Sequence, residues 1–221
     1  MPQPKPDVAA AVAWLKRNRS PKVRDGMARY GLPSDKALGV GVGALQKYGR
    51  QLGPDQALAE ALWETDIYEA RLLASVVGEP AKLTPATMDR WCRDFDNWGV
   101  VDTVCFKLFD RSPHAWKKVG PWSKQKGEFQ KRAGVVLLAC LAGHDREADD
   151  AAFIRCLPGL ERAAADERNF VKKGAVWAVR MIARRNPALK KEAVALARRL
   201  IASDHPGAQW VGKESWREIT R

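Results

Sequence analysis

The 221-residue chain carries 38 Lys and Arg against 26 Asp and Glu, a net charge of +12, and its 46% hydrophobic content excludes wholesale disorder. Residues 1–110 hold 15 basic and 14 acidic side chains, whereas residues 111–221 hold 23 and 12, so the excess positive charge sits in the second half, as on a polyanion-binding surface. No window of about 18 apolar residues exists to cross a membrane, and Met1-Pro2-Gln3-Pro4-Lys5-Pro6 lacks the apolar stretch of a secretory signal and reads as a disordered lead over residues 1–6.

Ala, Leu, Arg and Lys are abundant while Ile, Thr and Tyr are scarce, a mixture that favours helix over sheet. Asp7 caps a helix running to Arg17, and Ser20-Pro21 supplies an N-cap with proline at the first helical position. Pro54-Asp55 opens a run to Thr65, Asp66 one to Gly78, Thr84-Pro85 one to Phe95, and Asn97 one to Phe109. Ser112-Pro113 begins a short helix. Longer runs cover residues 126–143, 149–165 and 167–185; Pro187 starts the next helix and His205-Pro206 the last. The strand-like passage Gly39-Val40-Gly41-Val42-Gly43 reads as a loop because of its glycines. Connections are short, as between antiparallel helices, and helix pairs recur every 35–45 residues, within the span of HEAT-type repeats. The expected fold is all-α: an α-solenoid of HEAT-like antiparallel helix pairs, curved with a basic concave face, in a single domain over residues 7–221. An ordinary α-bundle is the alternative.

Cys92, Cys105, Cys140 and Cys156 show no C-x-x-C spacing, and each falls in an apolar helical pattern, so neither disulfides nor a zinc site is expected. His114, His144 and His205 are isolated from one another. The expected compartment is reducing, the cytoplasm, with no metal or organic cofactor.

Three constellations carry possible chemistry. On the 167–185 helix, Val171, Ala175, Ala178 and Ile182 fall on one side and face the core, while Lys173, Trp177, Arg180 and Arg184 form the opposite stripe. A tryptophan among cations is either an aromatic platform beside phosphate ligands or a packing residue against an adjacent repeat. In Asn97-Trp98-Gly99-Val100-Val101-Asp102, Trp98 and Asp102 are four residues apart and share a helix face at the border of an apolar arc. A carboxylate there either pairs with a cation or does chemistry. Lys131-Arg132 precede a run that is apolar all round, which suggests a phosphate site at an inner rim or solvated charge. Lys190-Lys191 and Arg198-Arg199 read as solvated faces. Trp116 and Trp122, interleaved with Lys117, Lys118, Lys124 and Lys126, fit either strand binding or loop anchoring. Trp14, Trp63, Trp91, Trp210 and Trp216 are assigned to packing. No Walker loop, Rossmann fingerprint, HExxH or GxSxG sequence is present.

Several stretches together resemble the AlkD-type DNA alkylation repair family of HEAT-like glycosylases. They are Ala61-Leu62-Trp63-Glu64, Tyr68-Glu69-Ala70-Arg71, Trp98-Gly99-Val100-Val101-Asp102-Thr103, Lys131-Arg132-Ala133-Gly134, and the run from Val171 through Lys172, Lys173 and Trp177 to Arg180. The similarity spans residues 50–190, with block order kept. It implies that Trp98 and Trp177 correspond to two tryptophans at the lesion's deoxyribose, Asp102 to the catalytic aspartate, and Arg132 to an arginine at the DNA backbone. Lys131, Lys172, Lys173, Arg180 and Arg184 complete the expected DNA-binding set. The smooth Gly99-Val100-Val101 run departs from the bulkier residues that would shape a tighter pocket.

The implied activity is that of a DNA glycosylase hydrolysing the N-glycosidic bond of cationic N3- or N7-alkylated purines, such as 3-methyladenine and 7-methylguanine, in duplex DNA. Alkylation already makes the departing base cationic, so one carboxylate facing an oxocarbenium-like sugar suffices, and indole faces add attraction. A monomer is expected. The alternative is a non-catalytic HEAT-like module that binds damaged or branched DNA.

Overall fold

A computed structural model describes residues 7–32 and 35–221; the expected disordered lead over residues 1–6 lies outside them. The chain divides into two compact units, Met1–Trp91 and Cys92–Arg221. The division falls inside a helix rather than in a linker. Among the described residues no strand forms, and no helix is long and apolar enough to cross a membrane.

The first unit contains α1 (Val8–Arg17), α2 (Pro21–Met27), α3 (Val42–Leu52), α4 (Gln56–Trp63), α5 (Tyr68–Val77) and most of α6 (Pro85–Arg93). Asp7, Ser20 and Asp55 each accept a backbone N–H of the following turn, as the sequence signals require. Helix α3 was not anticipated, because its N-cap is Gly41, which has no side chain to cap it. Of the passage expected as a loop, Gly39, Val40 and Gly41 are one, whereas Val42 and Gly43 open α3; the loop is held by buried Glu69, whose carboxylate accepts N–H groups of Leu38, Gly39 and Val40 at 2.8, 2.6 and 3.2 Å. Gly39 is obligatory there: its φ is +81°, and an added Cβ would lie 2.2 Å from the Ser20 carbonyl oxygen. Trp63 and Trp91 stack in the core with centroids 4.1 Å apart.

The second unit contains α7 (Trp98–Lys107), α8 (Ala115–Ser123), α9 (Glu128–His144), α10 (Asp150–Ala164), α11 (Asn169–Ala183), α12 (Pro187–Ile201) and α13 (Pro206–Ile219). Helix α9 is apolar all round from Ala133 to Ala142 and accordingly lies at the centre, packed by α7, α8, α10 and α11. Cross-helix contacts fix directions. Asp102 meets Arg132 and, further along both helices, Phe106 meets His144, so α7 and α9 run parallel. Arg132 meets Phe170 and Gly143 lies against Met181, so α11 runs parallel to α9. Lys172 meets Trp210 and Arg180 meets Glu218, which extends the same direction to α13. A second layer holds α10 and α12, joined by Glu161–Arg199. These links span 30 residues (Asp102–Arg132) or 38 (Arg180–Glu218 and Glu161–Arg199); the latter falls in the 35–45 range expected from the helix spacing and the former short of it. All four cysteines are free; Cys92, Cys105 and Cys140 are buried and Cys156 is half-buried.

Candidate nucleic-acid interface

The face of α11 is set by its periodicity. Val171, Ala175, Ala178 and Ile182 are fully buried, while Lys173 and Arg184 are exposed and Trp177 and Arg180 half-buried. The basic-aromatic stripe is therefore at the surface of the layer formed by α7, α9, α11 and α13. On α7, the Asn97 side chain caps the helix by accepting the Val100 N–H, and Val100, Val101 and Val104 anchor it in the core. Trp98 and Asp102 are left half-buried on its border.

Asp102 is not free. Arg132 donates through Nε to Oδ1 at 2.9 Å and through Nη2 to Oδ2 at 2.7 Å, a bidentate pair, while Nη1 donates to the Phe170 carbonyl. One guanidinium thus ties α7, α9 and α11 together. It lies over Gly174, where an added Cβ would stand 3.5 Å from Nη1 and 2.9 Å from a Val135 methyl. Trp177 follows Gly174 by three residues and shares that side of α11. The Asp102 side chain keeps 22% exposure and that of Arg132 7%. Burial pushes the Asp102 carboxyl above the ordinary carboxylate range, and Arg132 pulls against that rise.

This geometry gives Arg132 protein partners. Expected at the DNA backbone, it is buried and donates once from each of its three guanidinium nitrogens, to both Asp102 oxygens and to the Phe170 carbonyl. Lys131 pairs with Asp166 at 2.7 Å, and Arg168 grips the same carboxylate. Hydrogen bonds from Arg168, reinforced by Lys131, hold Asp166 far below the ordinary carboxylate range. Arg180 pairs with Glu218 at 2.7 Å. Lys172 sits over the Trp210 ring, 5.1 Å from its centroid. Lys173 and Arg184 have no ion-pair partner among the described residues. Trp210, assigned to core or inter-repeat packing, is 36% exposed and packs between helices, against Lys172 of α11; Trp63 and Trp91 are buried in the core. Trp116 donates its indole N–H to Asp145 at 2.8 Å, and Trp122 is buried, which favours loop anchoring for both. Sequence reasoning missed Phe170, Asp166 and Glu218, the acceptors of the three cations. Only Asp166, next to a predicted helix start, carried a local signal.

A solved structure described as "A new family of proteins related to the HEAT-like repeat DNA glycosylases with affinity for branched DNA structures" matches with a TM-score of 0.79 at 19% identity, covering 96% of this chain and 95% of that chain. The fold is thus a HEAT-like repeat helical fold. A family model described as DNA alkylation repair enzyme matches residues 11–205, and the chain belongs to that family. No curated protein matches the sequence.

Proposed function

We propose that this protein is a DNA glycosylase that releases cationic N3- or N7-alkylated purines from duplex DNA. The observation that carries this reading is the half-buried Asp102 carboxylate, held by both oxygens on Arg132 and sharing a helix face with Trp98. Each carboxylate oxygen has two lone-pair directions; Arg132 takes one on each and leaves one for another partner. In the reaction the C1′–N bond breaks and its electron pair leaves with the base, which departs neutral. The positive charge passes to the sugar, where Asp102 opposes it. Water then attacks C1′, and its proton goes to Asp102 or solvent. Trp98 and Trp177 offer ring faces to the cationic deoxyribose. Lys173 and Arg184, with Lys172 and Arg180 on the same helix, supply charge for the phosphates, whereas Lys131 is spent on Asp166.

Asp102→Asn tests it. Release of 7-methylguanine from methylated DNA is expected to fall about 10²-fold or more, with DNA affinity within a few-fold of wild type and an unchanged circular dichroism spectrum. Undiminished release would remove Asp102 from the mechanism.

A second reading has its own support, because Arg132 already neutralises Asp102: a module that binds branched DNA without releasing a base. Turnover by the wild-type protein excludes it. Salt-sensitive binding to a four-way junction with no liberated base favours it.

A further inference from the structure

A cleft of about 440 Å³ opens between α8 and α10 over α9, in the second unit. It lies apart from the Asp102 clamp, which joins α9 to α7 and α11. The cleft has an apolar bed of Val119, Val135, Leu138 and Leu160. Around it stand four cations, Lys124, Lys131, Arg155 and Arg162, and no carboxylate lines it. Lys131 is neutralised from outside by Asp166. Lys124, Arg155 and Arg162 have no ion-pair partner among the described residues. The guanidinium of Arg162 leans over Gly159, 3.8 Å from where a Cβ would be. Gly120, on the opposite wall, has nothing within 4 Å of its missing Cβ.

Three unpaired cations at one opening repel one another and gain from a shared anion. The apolar bed gains from a hydrophobic body removed from water, and the volume suits a small molecule rather than a polymer. Beyond the cleft, past Arg155 and Cys156, the surface turns acidic with Asp145, Glu147 and Asp149 around Trp116. That edge repels a continuing phosphate backbone and closes the site to a long strand.

We infer that the α8–α10 cleft binds a small soluble organic phosphate, its apolar body on the Val135–Leu138 bed and its phosphate on Arg155, Arg162 and Lys124. This site is independent of the glycosylase reading.

Cys156 lines the cleft, and the other three thiols are buried, so its alkylation reports occupancy. The experiment measures N-ethylmaleimide modification of Cys156 in the full-length protein, by mass spectrometry, with and without 1-naphthyl phosphate. Saturating probe is expected to slow labelling at least tenfold, whereas 1-naphthol and inorganic phosphate at equal concentration slow it less than twofold. Arg155→Glu/Arg162→Glu, at exposed positions, should abolish the protection. Gly120→Phe, which fills the cleft without altering charge, should also abolish it. Each variant is compared with itself without probe. Equal protection by inorganic phosphate would reduce the cleft to a charged patch and overturn the proposal. So would absence of protection, or stronger protection by duplex DNA than by 1-naphthyl phosphate.

Discussion

Removing Arg132 strands the Asp102 carboxylate and cuts the tie between α7, α9 and α11. Arg132→Met keeps much of the side-chain bulk but leaves the Asp102 carboxylate without its donors and takes from the Phe170 carbonyl a second bond, its backbone bond within α11 remaining. Breaking a buried ion pair from one side costs about 3–5 kcal/mol. Asp102 retains 22% side-chain exposure, so water recovers part of the loss and about 3 kcal/mol is expected. Asp102→Leu strands the guanidinium instead, at a similar cost. The double variant strands neither charge, and the Phe170 carbonyl keeps its bond in the α11 backbone ladder, so a loss of about 1 kcal/mol or less is expected. The single losses should therefore fail to add by about 2 kcal/mol or more. Urea unfolding followed by tryptophan fluorescence and circular dichroism gives the four stabilities. Additivity within about 0.5 kcal/mol, or a loss below about 1 kcal/mol for Arg132→Met, would refute the three-helix clamp.

Glu69→Ala removes the acceptor for three backbone N–H groups of the 38–40 loop; a loss of about 2–4 kcal/mol in urea unfolding is expected, with Gly39→Ala comparably harmful. The folded-state pKa of Asp166 is depressed, so its contribution is complete above the unfolded value of about 4 and is lost as pH falls through the folded value. Asp166→Asn should therefore lose stability at pH 7 and show a weaker decline between pH 5 and 2 than wild type; parallel acid profiles would contradict the Lys131–Asp166–Arg168 cluster. Lys173→Ala and Arg184→Ala should each lower the slope of log affinity for duplex DNA against log salt by about 0.9, measured by anisotropy. An unchanged slope in both would take α11 off the DNA surface.

Much of the helical order was legible because its signals are local. The caps Asp7, Ser20, Asp55 and Asn97 each act within one turn, as does Pro187 at the first position of its helix, so a few consecutive residues announce each start. Helix α3 escaped because Gly41 carries no such signal. The face of α11 was equally readable, since a rotation of about 100° per residue separates Ala175 and Ile182 from Lys173 and Arg184 without reference to any other helix. For Trp210 the same approach leaves core and inter-repeat packing equally open, and the choice falls to Lys172, on another helix, which covers its ring.

The sequence by itself determined the helical class and which side of α11 carries the cations, because each follows from chain-local geometry. Tertiary structure alone decided what those charges do. Arg132 finds Asp102 30 residues away, and Arg180 finds Glu218 across 38. Whether a cation is free for a phosphate or spent on a carboxylate depends on a partner one repeat away, and such pairings are set by helix packing, to which no local pattern refers.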